Sequence, residues 1–144
     1  MRPVTVAEVR PLRQALLRPH QQVEELVYRG DGDPRSLHVG GFRNDHLVGI
    51  ASIFPRPMPG NEGIDAWQVR GMAVEHGLRG YGLGGLLLER CVEHAAVHGA
   101  RFVWCNAQSG SHGFFGRHGF RVDGDPLELP DIEPHHRMLI ELTA

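Results

Sequence analysis

Cysteine is scarce, long apolar runs are missing, and neither charge sign is in strong excess. The two cysteines, Cys91 and Cys105, fall in no CxxC or CxxH spacing. That excludes a zinc knuckle and a disulfide framework, and both residues read as reduced thiols packed in apolar segments. No window approaches the roughly 18 apolar residues of a spanning helix, so no membrane association is expected. The formal net charge of -2 gives no support to a long basic groove for nucleic acid. The first residues carry Arg2, Pro3 and Glu8 and no apolar stretch, so no signal peptide is expected and a cytoplasmic location is the default.

What is present suits one domain spanning residues 1–144. The chain has 144 residues, 41% of them apolar and 22% charged, which is ordinary for a globular protein with a real core. The 19 glycines and 10 prolines point to many tight turns.

Periodicity and breakers give a coarse element order. Residues 4–9 read as a short first strand and 9–17 as a helix ended near Pro19. Residues 21–28 are ambiguous between helix and strand. Residues 30–34, Gly-Asp-Gly-Asp-Pro, form a turn. Residues 37–43 and 46–54 alternate as a hairpin around Asn44-Asp45. The three prolines within 55–63 exclude regular structure there. Residues 66–74 form the next strand, and 83–98 the longest helix, with Gly99 closing it. Residues 101–106 read as a buried strand and 111–118 as a short helix stopped by Gly119. Residues 120–122 and 136–142 are the last strands, separated by a loop with Pro126, Pro130 and Pro134. A strand, helix, strand unit over 66–106 implies parallel neighbours, while the hairpins make the sheet mixed. The fold class is therefore α/β (α+β).

The segment 76–85 carries the chemistry. Gly80, Gly82, Gly84 and Gly85 remove side chains where a ligand must approach the backbone. The helix that follows offers free N–H groups and the positive end of its dipole, and Arg79 adds a full charge. Together they suit a phosphate or pyrophosphate. A Walker loop needs Gly-Lys-Ser or Gly-Lys-Thr, and the segment has no lysine. A GxGxxG fingerprint does match at Gly80, Gly82 and Gly85. However, five residues separate Val74 from Gly80, and no acid follows the next strand, which runs out in Cys105-Asn106-Ala107-Gln108.

The third reading is R-x-x-G-x-G, met by Arg79, Gly82 and Gly84. Here the chain resembles the GNAT family of N-acetyltransferases, most strongly over residues 69–120. Gly71-Met72-Ala73-Val74 and the loop resemble the family's cofactor strand and motif. Phe114-Phe115-Gly116-Arg117-His118-Gly119-Phe120 resembles its later FYxxxGF segment. The resemblance implies a mostly antiparallel sheet of six to seven strands, with a central parallel pair splayed at the cofactor site and helices on its flanks. It implies transfer of an acetyl group from acetyl-CoA, as co-substrate, to a primary amine. Met72, Ala73 and Val74 would flank the pantetheine arm, and Arg79, Gly80, Tyr81, Gly82, Leu83 and Gly84 would hold the pyrophosphate. The Val74 N–H would hold the oxyanion. A Cβ at Gly82 or Gly84 is expected to block the cofactor while sparing the fold. The expected partners are acetyl-CoA and the amine acceptor, with a homodimer as the assembly to test for.

The family's Tyr, which protonates the departing thiolate, is replaced here by Phe115, which has no proton to give. A CoA thiol has a pKa of roughly 8.5, so departure as thiolate is tolerable. The same replacement is the best argument for the alternative, a CoA-binding regulatory or scaffold module with little turnover. Candidate bases are His135 and His136, Glu75 directly after the strand, and Asn106 through a bound water. Only one of the two histidines can face inward, because strand neighbours alternate. Asn106 also suits the pantetheine amide, and Phe115 the thioester's apolar wall. His94 and His98, at i and i+4, read as a helix face rather than a metal site. Trp104 and Phe102 read as core. Arg10, Arg13 and Arg18 read as a solvated helix face, with an anionic acceptor or the CoA 3′-phosphate as the functional alternative. Trp67 and the 55–63 loop are weighed as acceptor-pocket walls.

Overall fold

The computed structural model describes residues 1–17, 19–22, 26, 28–127 and 135–142. Its elements are β1 (Arg2–Pro3), α1 (Val6–Leu17), β2 (Leu37–Arg43), β3 (His46–Pro55), β4 (Ala66–Val74), α2 (Leu83–Val97), β5 (Phe102–Gln108), α3 (His112–Arg117), β6 (Arg121–Leu127) and β7 (His135–Glu141). Short 3-10 turns occupy His76–Leu78 and Ser109–Ser111.

The strand expected at residues 4–9 is instead the start of α1. Thr5 and Glu8 form a reciprocal cap: the Glu8 N–H donates to Thr5 Oγ1 at 3.2 Å, and the Thr5 N–H donates to Glu8 Oε1 at 2.9 Å. This is the capping-box pattern, and it starts a helix where alternation alone reads as strand. The strand expected at 120–122 runs on to Leu127 through Pro126, which an edge strand tolerates. Of the expected loop beyond it, Pro130 and Pro134 lie outside the described residues. So does part of the ambiguous segment 21–28. The Asn44-Asp45 turn is as expected, with φ of 48° and 68°, the pair of positive values that a two-residue hairpin turn needs.

The seven strands form one sheet in the order β1-β2-β3-β4-β5-β7-β6. Only β4 and β5 run parallel; the other neighbours are antiparallel. On one face α2 packs against Val39, Ile53, Val69 and Val103. Leu83, at the start of α2, sits so close over β2 and β3 that a Cβ at Gly41 or Gly49 would lie 2.6 or 2.9 Å from its methyls. Those two glycines let the N-terminal end of α2 seat on the sheet. On the opposite face α1 buries Val9 against Ile50 and Ala73, and Met58, Ala66, Phe102, Trp104 and Leu139 form a second cluster.

Arg13 of α1 is fully buried, not solvated as expected from its helix. Its guanidinium forks onto Asp31, with Nη1 2.7 Å from Oδ2 and Nη2 3.0 Å from Oδ1. Nη2 also donates to Ser52 Oγ at 3.0 Å. His38 Nε2 faces the Asp31 carbonyl at 3.1 Å and its Nδ1 faces Ser52 Oγ at 2.7 Å. A carbonyl only accepts, so Nε2 carries the proton and Nδ1 accepts from Ser52. The network is thus satisfied with His38 neutral.

Burial lowers the His38 pKa from its ordinary 6.5. As pH falls, the unfolded chain protonates first, so the contribution of His38 to stability is full above the ordinary value and is lost as pH falls through the folded one. We predict that the melting-temperature gap between wild type and His38→Gln shrinks between about pH 7.5 and about pH 5. A gap that stays constant over that range would show that His38 is not the group that titrates.

Candidate active site

β4 and β5 pair at only three positions: Ala66 with Phe102, Trp67 with Val103 and Gln68 with Trp104. Beyond them the strands continue to Val74 and Gln108 without pairing, which leaves a slot between 69–74 and 105–108. The divergence coincides with a bulge in β4, where the register against β3 shifts between Ile50 and Ser52. Gly71 takes φ +65° there, and a Cβ on it would lie 3.0 Å from the Tyr28 ring and 3.2 Å from Arg13 Nε. Only glycine fits both the dihedral and the space.

The β4 edge facing the slot follows from one bond. The Glu75 N–H donates to Val48 O at 2.9 Å, toward β3. Successive N–H groups alternate across a strand, so those of Val74 and Met72 point away from β3, into the slot. The Val74 carbonyl, on the same edge, accepts from Arg79 Nε at 3.0 Å. Arg79 therefore hangs its exposed guanidinium at the mouth of the slot.

Above that mouth lies the glycine loop. Gly80 and Gly82 have φ of +88° and +87°, and a Cβ on either would meet no atom within 4 Å. Tyr81 between them is 82% exposed. Gly82 is the N-cap of α2 and supplies no side-chain cap. Among the described residues, no intramolecular acceptor meets the N–H groups of Gly80, Tyr81, Gly82, Leu83, Gly84 or Gly85. Consecutive unpaired N–H groups at a helix N-terminus form an anion cradle. An extended arm carrying a pyrophosphate fits this arrangement: donors for the phosphates, and an unpaired strand edge for the arm.

The structure separates glycines that the sequence groups together. Gly85 is buried, and its Cβ would lie 2.8 Å from the His118 ring. It is a packing position. At Gly84 a Cβ would lie 3.4 Å from Phe114 Cε1 and 3.9 Å from Val74 Cγ2. Phe114 thus joins the slot's wall, a role the sequence reading missed although the residue opens the Phe114-Phe115 pair. At Gly82 the positive φ strains any side chain, so a substitution there is not free of structural cost as expected.

Phe115 is buried against Phe114 and Phe120, with ring centroids 5.1 and 5.5 Å away. His135 and His136 are both half-buried, on opposite faces of β7. His136 lies against His112 of α3, with centroids 4.8 Å apart. His135 pairs with Gln108 of β5. Each of these two histidines has a buried Nδ1 with no partner. Asn106 is exposed beyond the last parallel pair, opposite Arg137 of β7. Glu75 is exposed on the hairpin side of β4, in a groove lined also by Asn44, Leu47 and Leu78.

His94 packs edge-on and His98 tilted against Trp67, and His94 Nε2 lies 2.7 Å from the Arg35 carbonyl. Among the described residues no group of His, Cys, Asp or Glu is arranged for a metal. Trp67 is buried on the α2 face, away from the opposite one that Met58 and Pro59 of the 55–63 loop help to cover. Arg10 is half-buried, and Arg18 lies outside the described residues. Cys91 and Cys105 are free and buried, and burial pushes both thiols up to about 12. Among the described residues no helix is long and apolar enough to cross a membrane.

The acetyltransferase (GNAT) family model matches residues 6–120, from the start of α1 through the Phe114–Phe120 segment. The chain belongs to this family. It is 33% identical over 132 residues to YitI of Bacillus subtilis (strain 168), described as an uncharacterized N-acetyltransferase, covering 92% of this chain and 89% of that protein. ElaA of Escherichia coli shares the fold at 23% identity and TM-score 0.69, over 97% of both chains. An aminoglycoside 6′-N-acetyltransferase solved in complex with coenzyme A shares it at 16% identity and TM-score 0.74, over 94% of this chain and 89% of that one.

We predict that Gly85→Val lowers stability by about 1–3 kcal/mol through overpacking on His118. In urea unfolding, His118→Ala should recover part of that loss. Equal stability of Gly85→Val and wild type would show that the contact with His118 is loose.

Proposed function

We propose that the chain transfers an acetyl group from acetyl-CoA to a primary amine by direct attack of the amine on the thioester. The observation that carries this reading is the opening of β4 from β5 immediately beneath the unpaired N–H groups at the start of α2. Those donors suit the pyrophosphate, with Arg79 adding charge. The free edge of Met72 and Val74 suits the amide-bearing arm, as an added strand would pair. The Val74 N–H then points at the position where the thioester oxygen gains charge.

The two faces of the slot differ. The cradle lies on the α2 face, so the acceptor enters from the α1 face, where Gln68, Arg70 and Asn106 border the opening. Alternation along β7 puts His135 on that face and His136 on the other, against α3. We therefore assign proton removal from the ammonium to His135, directly or through a water held by Asn106. Phe115 excludes water from the sulfur side, and the thiolate departs without a tyrosine donor. Glu75 takes no part, because it lies at the exposed hairpin end.

Two measurements test the reading. Acetyl-CoA should bind, and Gly82→Val should weaken that binding at least about tenfold while local strain costs about 1–3 kcal/mol of stability. Unchanged affinity in the folded variant would remove the cradle. CoA release should depend on added amine; the chain contains no lysine, so its own side chains supply no competing acceptor. Binding without amine-dependent release across a broad panel would favour the CoA-binding module.

A further inference from the structure

The α1 face of the slot is cationic, and among the described residues no carboxylate there is left free to match it. Arg70 follows Gln68 by two positions on β4, just past the last parallel pair, so its side chain rises beside the opening on that face. It is half-buried. Its guanidinium lies 4.1 Å from the centre of the Tyr28 ring, and Arg13 lies 3.9 Å from the same ring. That contact orients the Arg70 guanidinium but takes none of its N–H donors. Among the described residues no hydrogen bond or ion pair engages them. Beside it, Arg56 donates through Nη1 to Gln68 Oε1 at 3.2 Å and has no carboxylate partner among the described residues.

The neighbouring carboxylates among the described residues, Asp31 and Asp123, are already committed. Asp31 is spent on Arg13 and on the Tyr28 N–H, at 2.7 and 2.8 Å. Asp123 is held by Arg137 at 2.8 Å, and Arg137 also donates to the Pro59 carbonyl at 2.9 Å. Burial lowers the Arg70 pKa from its ordinary value, Tyr28 opposes that shift, and Arg56 adds to it. Two neighbouring guanidiniums that repel each other at a half-buried edge weaken the fold unless an anion joins them. A guanidinium fork matches a carboxylate in two parallel hydrogen bonds.

We propose that Arg70 and Arg56 form an anion subsite, and that the acceptor is an amine bearing a carboxylate, of the amino-acid type. This rests on the acetyl-transfer reading for its direction of entry. The carboxylate sits on the Arg70 fork, with Arg56 and the Gln68 amide beside it. The amine then projects across the opening toward Asn106 and the thioester. Arg70 and Arg56 bind and orient; they exchange no proton with the reacting atoms.

The test uses the full chain with acetyl-CoA and pairs of L-amino acids and their amides, which differ only in the carboxylate. Carboxylate acceptors should show kcat/KM about 10- to 100-fold above their amides, as expected for losing a charge-assisted pair. Arg70→Gln should abolish that preference by raising KM for the carboxylate acceptors, with unchanged affinity for acetyl-CoA. Arg56→Gln should reduce it in the same direction. Equal kcat/KM for acids and amides, or equal loss for both in Arg70→Gln, would overturn the subsite. A second readout needs no turnover: titration of the CoA-loaded protein with N-acetyl-L-amino acids against their amides. Tighter acid binding that Arg70→Gln removes supports the subsite even where no amine is acetylated, and that combination would overturn the transfer reading alone. Equal binding of acids and amides would overturn the subsite.

Discussion

The site depends on the parallel pairing of β4 and β5 stopping after three residue pairs. A sheet with complete ladders offers a ligand no free backbone in its middle. This one exposes an unpaired edge at its centre, because β4 bulges at Gly71. The bulge is held by more than a glycine's freedom. Tyr28 and the Arg13 guanidinium press against the position a Cβ would take, and Arg13 is fixed by Asp31, Ser52 and the Leu26 carbonyl. A buried ion pair of this kind contributes little net stability over an apolar pair, yet leaving one member alone costs about 3–5 kcal/mol. Its value is in position. It sets Tyr28, and Tyr28 backs the bulge.

The same bulge separates two chemistries. Toward α2 the slot meets a helix N-terminus stripped of side chains, seated on β2 and β3 by Leu83 over Gly41 and Gly49. Toward α1 it meets polar side chains of the two diverging strands: Gln68 and Arg70 on β4, Asn106 on β5. A cofactor that enters from one face and an acceptor from the other meet where neither must cross the sheet. Catalysis by orientation needs little more than this, because a neutral amine held against a thioester already has the advantage of proximity.

Phe115 shows how a local departure from the family pattern is absorbed. Its ring lies in the core with Phe114 and Phe120, where a phenol hydroxyl would need a partner. In the proposed transfer the thiolate would leave on its own modest basicity, with proton removal on the amine side. The two cysteines take no part, because burial holds both thiols protonated at neutral pH.

The sequence by itself determined the features that depend on near neighbours. The Asn44-Asp45 turn, the extent of β4, the glycine loop at the start of α2 and the Phe114–Phe120 segment all follow from residues a few positions apart, and the family follows from their spacing. The Thr5–Glu8 cap is equally local, but alternation at 4–9 competes with it and reads as strand. Tertiary structure alone decided the rest. Arg13 has its partner 18 residues away, so no helix-face pattern announces its burial. Gly82, Gly84 and Gly85 look alike as letters, and only the approach of Phe114 and His118 tells the packing position, Gly85, from the other two. Arg70, Gln68 and Asn106 belong to two strands separated by a helix, and only the parallel pairing of those strands brings them to one face. Local dihedral and capping preferences are written within a few residues, whereas burial and charge pairing depend on which distant segment arrives.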